Sequence, residues 1–306
     1  MTASSITIIF SPYHVGLRDH RVGDGPNRIC KLGLIPQLEE LGVEIHFHEI
    51  GPVDDFEGEI GRSFEVLRRT SIAVSQARSQ NSFPLVLSGN CMSTVGVACG
   101  LGMNEPGFIY FDAHDDMDTP STNWNGYLDA MGLSMLAGKS WHYLTSTIPG
   151  YGPVKYDKML YIGLRDVTND QRKTVLDAGA KVIWGNADKH VDYAMELTQA
   201  LEQSQLSPAL VHLDLDVLDE SVGKVNGFES KGGLFEDDLL KCTKLIPQKA
   251  MPVSLTVCSF NPNLGDGDKI AEIGIKAIIT FVESLISTAV LGIKSFVGLK
   301  QVKKRT

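Results

Sequence analysis

The sequence predicts an α/β protein built on one mostly parallel sheet. Three observations carry this reading. Short β-branched runs alternate with longer amphipathic stretches along all 306 residues, the pattern of a parallel sheet covered on both faces. Hydrophobic residues make up 43% of the chain, enough for one large core or two smaller ones. Polar clusters directly follow three of the apolar runs, and the carboxyl edge of an open parallel sheet is where ligands bind.

The strands are predicted at "ITIIF" (6–10), "VEIHFHEI" (43–50), "PLVLS" (84–88), "GFIYF" (107–111), "KMLYIG" (158–163), "AKVIW" (180–184), "ALVHLDL" (209–215) and "VSLTVCS" (253–259). The helices are predicted between them, near 27–41, 58–80, 92–101, 127–138, 168–178, 188–204, 235–246 and 266–286. The last overlaps the most apolar piece, "IGIKAIITFVESLISTAVLGI", but Lys276, Glu283 and serines interrupt it. It reads as a core helix, because no apolar run reaches the ~20 residues that span a bilayer. The longest irregular piece is "KSWHYLTSTIPGYGPVKYD" (139–157), and a boundary there would split one alternating series. With no repeat, low-complexity tract or Pro/Ser-rich linker, residues 1–306 read as a single domain.

A net charge of −9 argues against nucleic acid or an anionic membrane surface as partner and suits a small molecule or cations. Cys30, Cys91, Cys99, Cys242 and Cys258 are scattered, odd in number and without a CxxC pair, which indicates a reducing compartment. The start, "MTASSITIIFSPYHVG", has neither a basic region nor a long apolar run, so no signal peptide is expected. A soluble, cytoplasmic protein is the expectation.

"GFIYF" ends in Asp112, His114, Asp115, Asp116 and Asp118; "PLVLS" leads into Asn90 and Cys91; "ALVHL" leads into Asp214, Asp216 and Asp219. Asp112, His114 and Asp116 share a face if the chain stays extended, as do Asp214 and Asp216. Either cluster alone reads as a solvated loop or a strand end with capping aspartates. Together they are too costly to bring to one sheet edge without a cation. Four carboxylates and an imidazole suit hard or borderline ions such as Mn²⁺, and exceed what one ion takes from protein. Two ions sharing bridging carboxylates, about 3.5–4 Å apart, fit the count better and would ionise a water between them for attack on an electrophilic carbon.

These residues resemble the ureohydrolase family, which includes arginase, agmatinase and formiminoglutamase. The resemblance covers nearly the whole chain. "DAHDDMDTP" (112–120) is similar to the family's Asp-Ala-His-x-Asp-x-Asn-Thr-Pro, and "HLDLDVLDES" (212–221) to its Ser-x-Asp-x-Asp-x-x-Asp-Pro. These two motifs are the specific ones. "GDGPNRICKLGL" (23–34), "SGNCMS" (88–93), "GGL" (232–234) and "FNPNLG" (260–265) add weaker matches. The resemblance implies a three-layer α/β/α sandwich with about eight strands, a homo-oligomer and a binuclear manganese site. It implies that Asp112 and Asp214 bridge the ions, that Asp116 and residue 91 complete one, and that His114 and Asp216 complete the other.

The departures bear on substrate. The family's histidine ligand is Cys91, a softer donor that weakens Mn²⁺ on that side, leaves a single ion there, favours Zn²⁺ or Fe²⁺, or serves instead as a nucleophile if a metal or helix terminus lowers its pKa. The aspartate before that ligand is Asn90. The asparagine that helps hold an amino-acid carboxylate is Asp118, which disfavours plain arginine. The histidine that shuttles protons in arginases falls at Asp129, which would relay a proton, bind a cation or simply start a helix. The glutamate that grips the guanidinium is Ser259. Asp116, Asp129 and Cys91 are thus the catalytic candidates. Asp118, Asn125, Tyr127, Asp129 and Ser259 are the expected substrate contacts.

The expected activity is metal-dependent hydrolysis of a C–N bond in a guanidine, amidine or related molecule other than plain arginine. The alternatives are a non-hydrolytic isomerase or cyclase on the same scaffold, and an inactive metal-binding relative. Elsewhere, His46 and His48 read as features of an edge strand. Tyr13 and His14 follow the first strand toward the same sheet edge, and His212 shares the face of Asp214 where the family has small residues. Arg165 and Asp166 read as a structural ion pair, and the basic "KQVKKRT" (300–306) as a solvated end.

Overall fold

The computed structural model describes residues 2–103 and 106–293; the basic end at 300–306 lies outside them. Its sheet strands are β1 (Ser5–Ser11), β2 (Ile45–Glu49), β3 (Ser82–Ser88), β4 (Gly107–Phe111), β5 (Met159–Leu164), β6 (Lys181–Trp184), β7 (Ala209–Asp214) and β8 (Pro252–Cys258). They lie in the order β2-β1-β3-β8-β7-β4-β5-β6, and every pairing is parallel. The chain leaves β3 for β4 across a gap that β7 and β8 later fill. The carboxyl ends of β3, β8, β7 and β4 therefore stand side by side.

Both faces of the sheet are covered. The helices are α1 (Gly25–Lys31), α2 (Leu34–Glu40), α3 (Gly58–Ser79), α4 (Ser93–Leu101), α5 (Gly132–Leu136), α6 (His142–Thr145), α7 (Asn169–Asp177), α8 (Tyr193–Glu202), α9 (Glu236–Lys249) and α10 (Gly267–Ser287). One core joins Ile8, Leu85, Ile109, Val211 and Leu255 of the strands to α1, α2, α8, α9 and α10. The other joins Ile9, Val86, Tyr110 and Leu210 to α3, α4, α5 and α7. The strands alternate between two dry layers, as the period-2 geometry of strands dictates.

Three predicted helices differ. Residues 27–41 form two helices, α1 and α2, because Gly33 at φ 92° reverses the chain between them. Residues 127–138 form a 3₁₀ turn, Leu128–Met131, followed by the short α5. The helix expected over 188–204 starts only at Tyr193. The Asn186 side chain first accepts from the amides of Asp188 and Lys189, and Asp192 then caps the Met195 amide at 3.0 Å. His46 and His48 do lie on an exposed edge strand, β2.

The weakly matching "GDGP" segment has a steric reason. A Cβ on Gly89 would stand 2.1 Å from the Tyr13 carbonyl oxygen and 2.8 Å from the Gly23 Cα. Backbone packs on backbone here, so the segment after β1 is held against the end of β3.

Candidate active site

Every sequence-predicted site residue except Asp112 lines one cavity of about 700 Å³ above the carboxyl edge. Asp112 lies just beneath, 1% exposed, and its Oδ2 is buried without a hydrogen-bond partner. A buried carboxylate oxygen with nothing to accept from is costly unless a cation faces it.

The strands set the positions. Phe111 of β4 pairs with Leu213 of β7, and Cys258 of β8 with Asp214. This register brings Asp112, Asp214 and Cys258 to one level. Asp112 Oδ1 accepts the His114 amide at 2.7 Å, and Asp214 Oδ1 accepts the Asp216 amide at 2.8 Å, so each motif turns on its own first aspartate. His114 Nδ1 then stands 3.4 Å from Asp112 Oδ1 and 3.2 Å from Asp216 Oδ2. Asn226 donates to Asp216 Oδ2 at 2.8 Å. On the other side, Tyr110 donates its hydroxyl to Asp116 Oδ2 at 2.7 Å. Asp116 (φ 52°) and Ser259 (φ 61°) both hold left-handed backbone, a strain that clusters at functional sites.

Three donor groups result, in each of which the ligand atoms lie within 4.8 Å of one another: Cys91, Asp112 and Asp116; Asp112, His114 and Asp216; His212, Asp214 and Cys258. The first two bring together around Asp112 the residues expected to pair there, Cys91 with Asp116 and His114 with Asp216. The third was not foreseen as a group. Its signal was present in the Asp214 motif, since residues 212 and 214 share a face, but that Cys258 joins them depends on β7 and β8 being neighbours.

The electrostatics describe a site built for cations. Burial, then Asp216, pushes the Asp112 carboxyl up to about 7. Burial with Asp112 and Asp129 holds Asp116 well above the usual carboxylate range, and burial with Asp216 and Asp112 does the same to Asp214. Burial opposes charge on His114, but Asp216, Asp112 and Asp166 overcome it and raise its pKa well above the ordinary value. Burial also opposes charge on Asp216, yet His114 holds that carboxyl far below its usual value. Burial and the four carboxylates of Asp116, Asp129, Asp214 and Asp112 push the Cys91 thiol well up. The lowered pKa expected of a nucleophilic Cys91 is therefore not supplied by the chain, and a thiolate there needs a cation. N, O and S donors, an orphaned oxygen and repelling carboxylates together fit divalent ions.

The remaining candidates divide by what they touch. Asp129 has its carboxylate fully engaged: it accepts from the Met92 amide at 2.8 Å, from Asn90 Nδ2, and from the Tyr127 hydroxyl at 3.4 Å. Asp118 accepts from Thr122 and Asn123, and Asn125 accepts from the Tyr127 amide, so both also shape the loop that roofs the cavity. Asp219 is no ligand; its carboxylate clasps the amides of Ser221, Gly232 and Gly233, which ties "DES" to "GGL". The expected Arg165–Asp166 pair is replaced by other bonds. Arg165 donates to the carbonyls of Gly163, Asp216, Val217, Leu218 and Ser230, while Asp166 stands 3.6 Å from His114 Nε2. His14 reaches the cavity, 6% exposed. Sequence reasoning missed the aromatic rim: Phe228 lies edge-on to His114 and stacks on Tyr127, with ring centroids 6.2 Å apart in both cases, and Trp124 stands almost fully exposed.

The model of the arginase family matches residues 4–283. The chain belongs to the arginase family. Its relatives include the arginases of Eremothecium gossypii, 27% identical over 285 residues, covering 86% of this chain and 70% of that protein. The arginase of Bacillus caldovelox is 26% identical over 287 residues, covering 88% and 95%. The native Bacillus caldovelox arginase structure aligns with a TM-score of 0.80 at 23% identity, over 91% of this chain and 98% of that one. The formimidoylglutamase of Bacillus subtilis aligns with a TM-score of 0.69 at 16% identity, over 93% and 87%. At these identities the structures speak to fold alone. The three-layer α/β/α arrangement with eight strands is the family's.

Proposed function

We propose that this arginase-family protein is a metal-dependent amidinohydrolase that cleaves a C–N bond in a guanidine, amidine or related small molecule other than plain arginine. The observation that carries the reading is the orphaned Asp112 Oδ2 at the meeting point of two donor groups. We assign one ion to Asp112, His114, Asp214 and Asp216, and the second to Cys91, Asp112, Asp116 and Asp214, with Mn²⁺ as the expected metal. When bound, the ions supply the Lewis acidity that makes a nucleophile available near neutral pH.

The chain's own residues do the rest. Asp116, steadied by the Tyr110 hydroxyl, accepts the proton from the attacking water and returns it to the departing nitrogen. Asp129 acts as a positioning residue, because its three bonds hold the turn that carries Cys91. Ser259 offers a neutral hydroxyl where the family places a glutamate. Asp118, Asn125 and Tyr127 shape the mouth. The carboxylate of Asp118 disfavours a substrate carboxylate, and Trp124, Tyr127 and Phe228 favour an apolar or aromatic body. A homo-oligomeric, cytoplasmic enzyme is the accompanying expectation.

The test is turnover of a panel of guanidines and amidines by Mn²⁺-loaded protein in ¹⁸O-labelled water. Label in the carbonyl product, with arginine among the poorest substrates, supports the reading. Turnover without label assigns a non-hydrolytic reaction, and arginine as the best substrate overturns the specificity.

A further inference from the structure

His212, Asp214 and Cys258 form a donor group of their own, all three at most 2% exposed. Cys258 stands beside Asp214 in the β7–β8 register, and His212 lies one pleat back on the same face. His212 Nε2 is 3.3 Å from Cys258 Sγ, and Cys258 Sγ is 3.9 Å from Asp214 Oδ2. Zinc–donor bonds of about 2.0–2.3 Å at tetrahedral angles separate the donor atoms by about 3.3–3.8 Å. The two measured edges are close to that range without any rearrangement.

The ring of His212 is fixed. It stacks on Tyr110 with centroids 4.1 Å apart and planes 3° apart, so Nε2 is aimed at the sulfur. Its other nitrogen, Nδ1, is buried without a partner. Of the three donors, Asp214 lines the cavity.

We propose that His212 Nε2, Cys258 Sγ and Asp214 Oδ2 constitute a further metal site beneath the cavity, suited to a zinc-class ion. One imidazole, one thiolate and one carboxylate are a borderline-soft set, unlike the oxygen-rich set around Asp112. On binding, the Cys258 thiol loses its proton to solvent and the sulfur donates an electron pair to the ion; nothing is oxidised or reduced. The ion would fix the Asp214 carboxylate from behind. The site does not depend on the hydrolytic reading, and a protein without turnover would leave it standing.

The experiment is titration of the metal-stripped full-length chain with Co²⁺ alone, following the near-ultraviolet absorption of thiolate-to-cobalt charge transfer. With Cys91→Ser removing the other thiolate assigned to an ion, the band is expected to remain in Cys91→Ser and to fall at least tenfold in Cys91→Ser/Cys258→Ser. A band absent from Cys91→Ser, or one that persists in Cys91→Ser/Cys258→Ser, overturns the proposal. Should that double variant fail to fold, His212→Asn in the Cys91→Ser background, which keeps the Cys258 thiol, decides. Roughly tenfold or weaker Co²⁺ binding with an altered band supports the site. An unchanged affinity and spectrum overturn it.

Discussion

Tyr110 illustrates how one side chain serves two layers of the site. Its ring stacks on His212 while its hydroxyl donates to Asp116 at 2.7 Å. Tyr110→Phe keeps the ring and leaves Asp116 Oδ2, inside a buried carboxylate cluster, without its donor. The expected loss is about 1–2 kcal/mol in denaturant unfolding of the cation-free protein. Wild-type stability in Tyr110→Phe would show that the bond is idle. At this scale the sequence was most readable where candidate ligands lie two apart at one strand end: Asp112 with His114, and Asp214 with Asp216. It was least readable where a carboxylate's role depends on a distant partner. Asp219 stands in the same acidic run as Asp216, yet it serves the amides of Gly232 and Gly233, and nothing local distinguishes the two.

Among elements, the loop after β7 is pinned from outside. The guanidinium of Arg165, at the end of β5, collects five carbonyls from three separate places in the fold. Three of them, those of Asp216, Val217 and Leu218, belong to the turn that presents Asp216. An ammonium cannot span such a set, so Arg165→Lys is not conservative here. The expected cost is about 3 kcal/mol, with Mn²⁺ affinity falling alongside because Asp216 loses its seat. Chemical denaturation paired with Mn²⁺ titration checks this, and an affinity that holds while stability falls would separate the two roles. The strands themselves were legible because apolar β-branched runs are local signals. Their order was not: that β8 lies between β3 and β7 follows from packing across the whole sheet, and it alone brings Cys258 to Asp214.

For the molecule as a whole, the carboxylate cluster couples folding to pH and to metal. In the cation-free chain Asp112 keeps its proton up to about 7, above the ordinary carboxylate value, because burial and Asp216 disfavour its charge. A folded-state pKa above the unfolded one means that stability is fully present at low pH and is lost as pH rises from about 4 through about 7. Divalent ions act in the opposite sense, since they bind the deprotonated carboxylates. Mn²⁺ is therefore expected to raise the melting temperature more at pH 8 than at pH 6. Calorimetry with and without Mn²⁺ at both values tests it; an increment that is larger at pH 6 would contradict the assignment of these carboxylates to cations.

The cavity has a base of strand ends and a rim of loops. The base is intolerant, with Gly89 leaving no room for a methyl group and Asp112 buried, whereas Trp124 and Phe228 stand on exposed turns. Substitutions on the rim alter what enters without disturbing what holds the sheet together. Over evolutionary time such an arrangement lets the rim drift while the strand ends that hold the sheet together are kept. In a library of single substitutions, replacements at exposed Trp124 and Phe228 should be tolerated for folding yet change which molecules are accepted, and those at 112–116 should be purged.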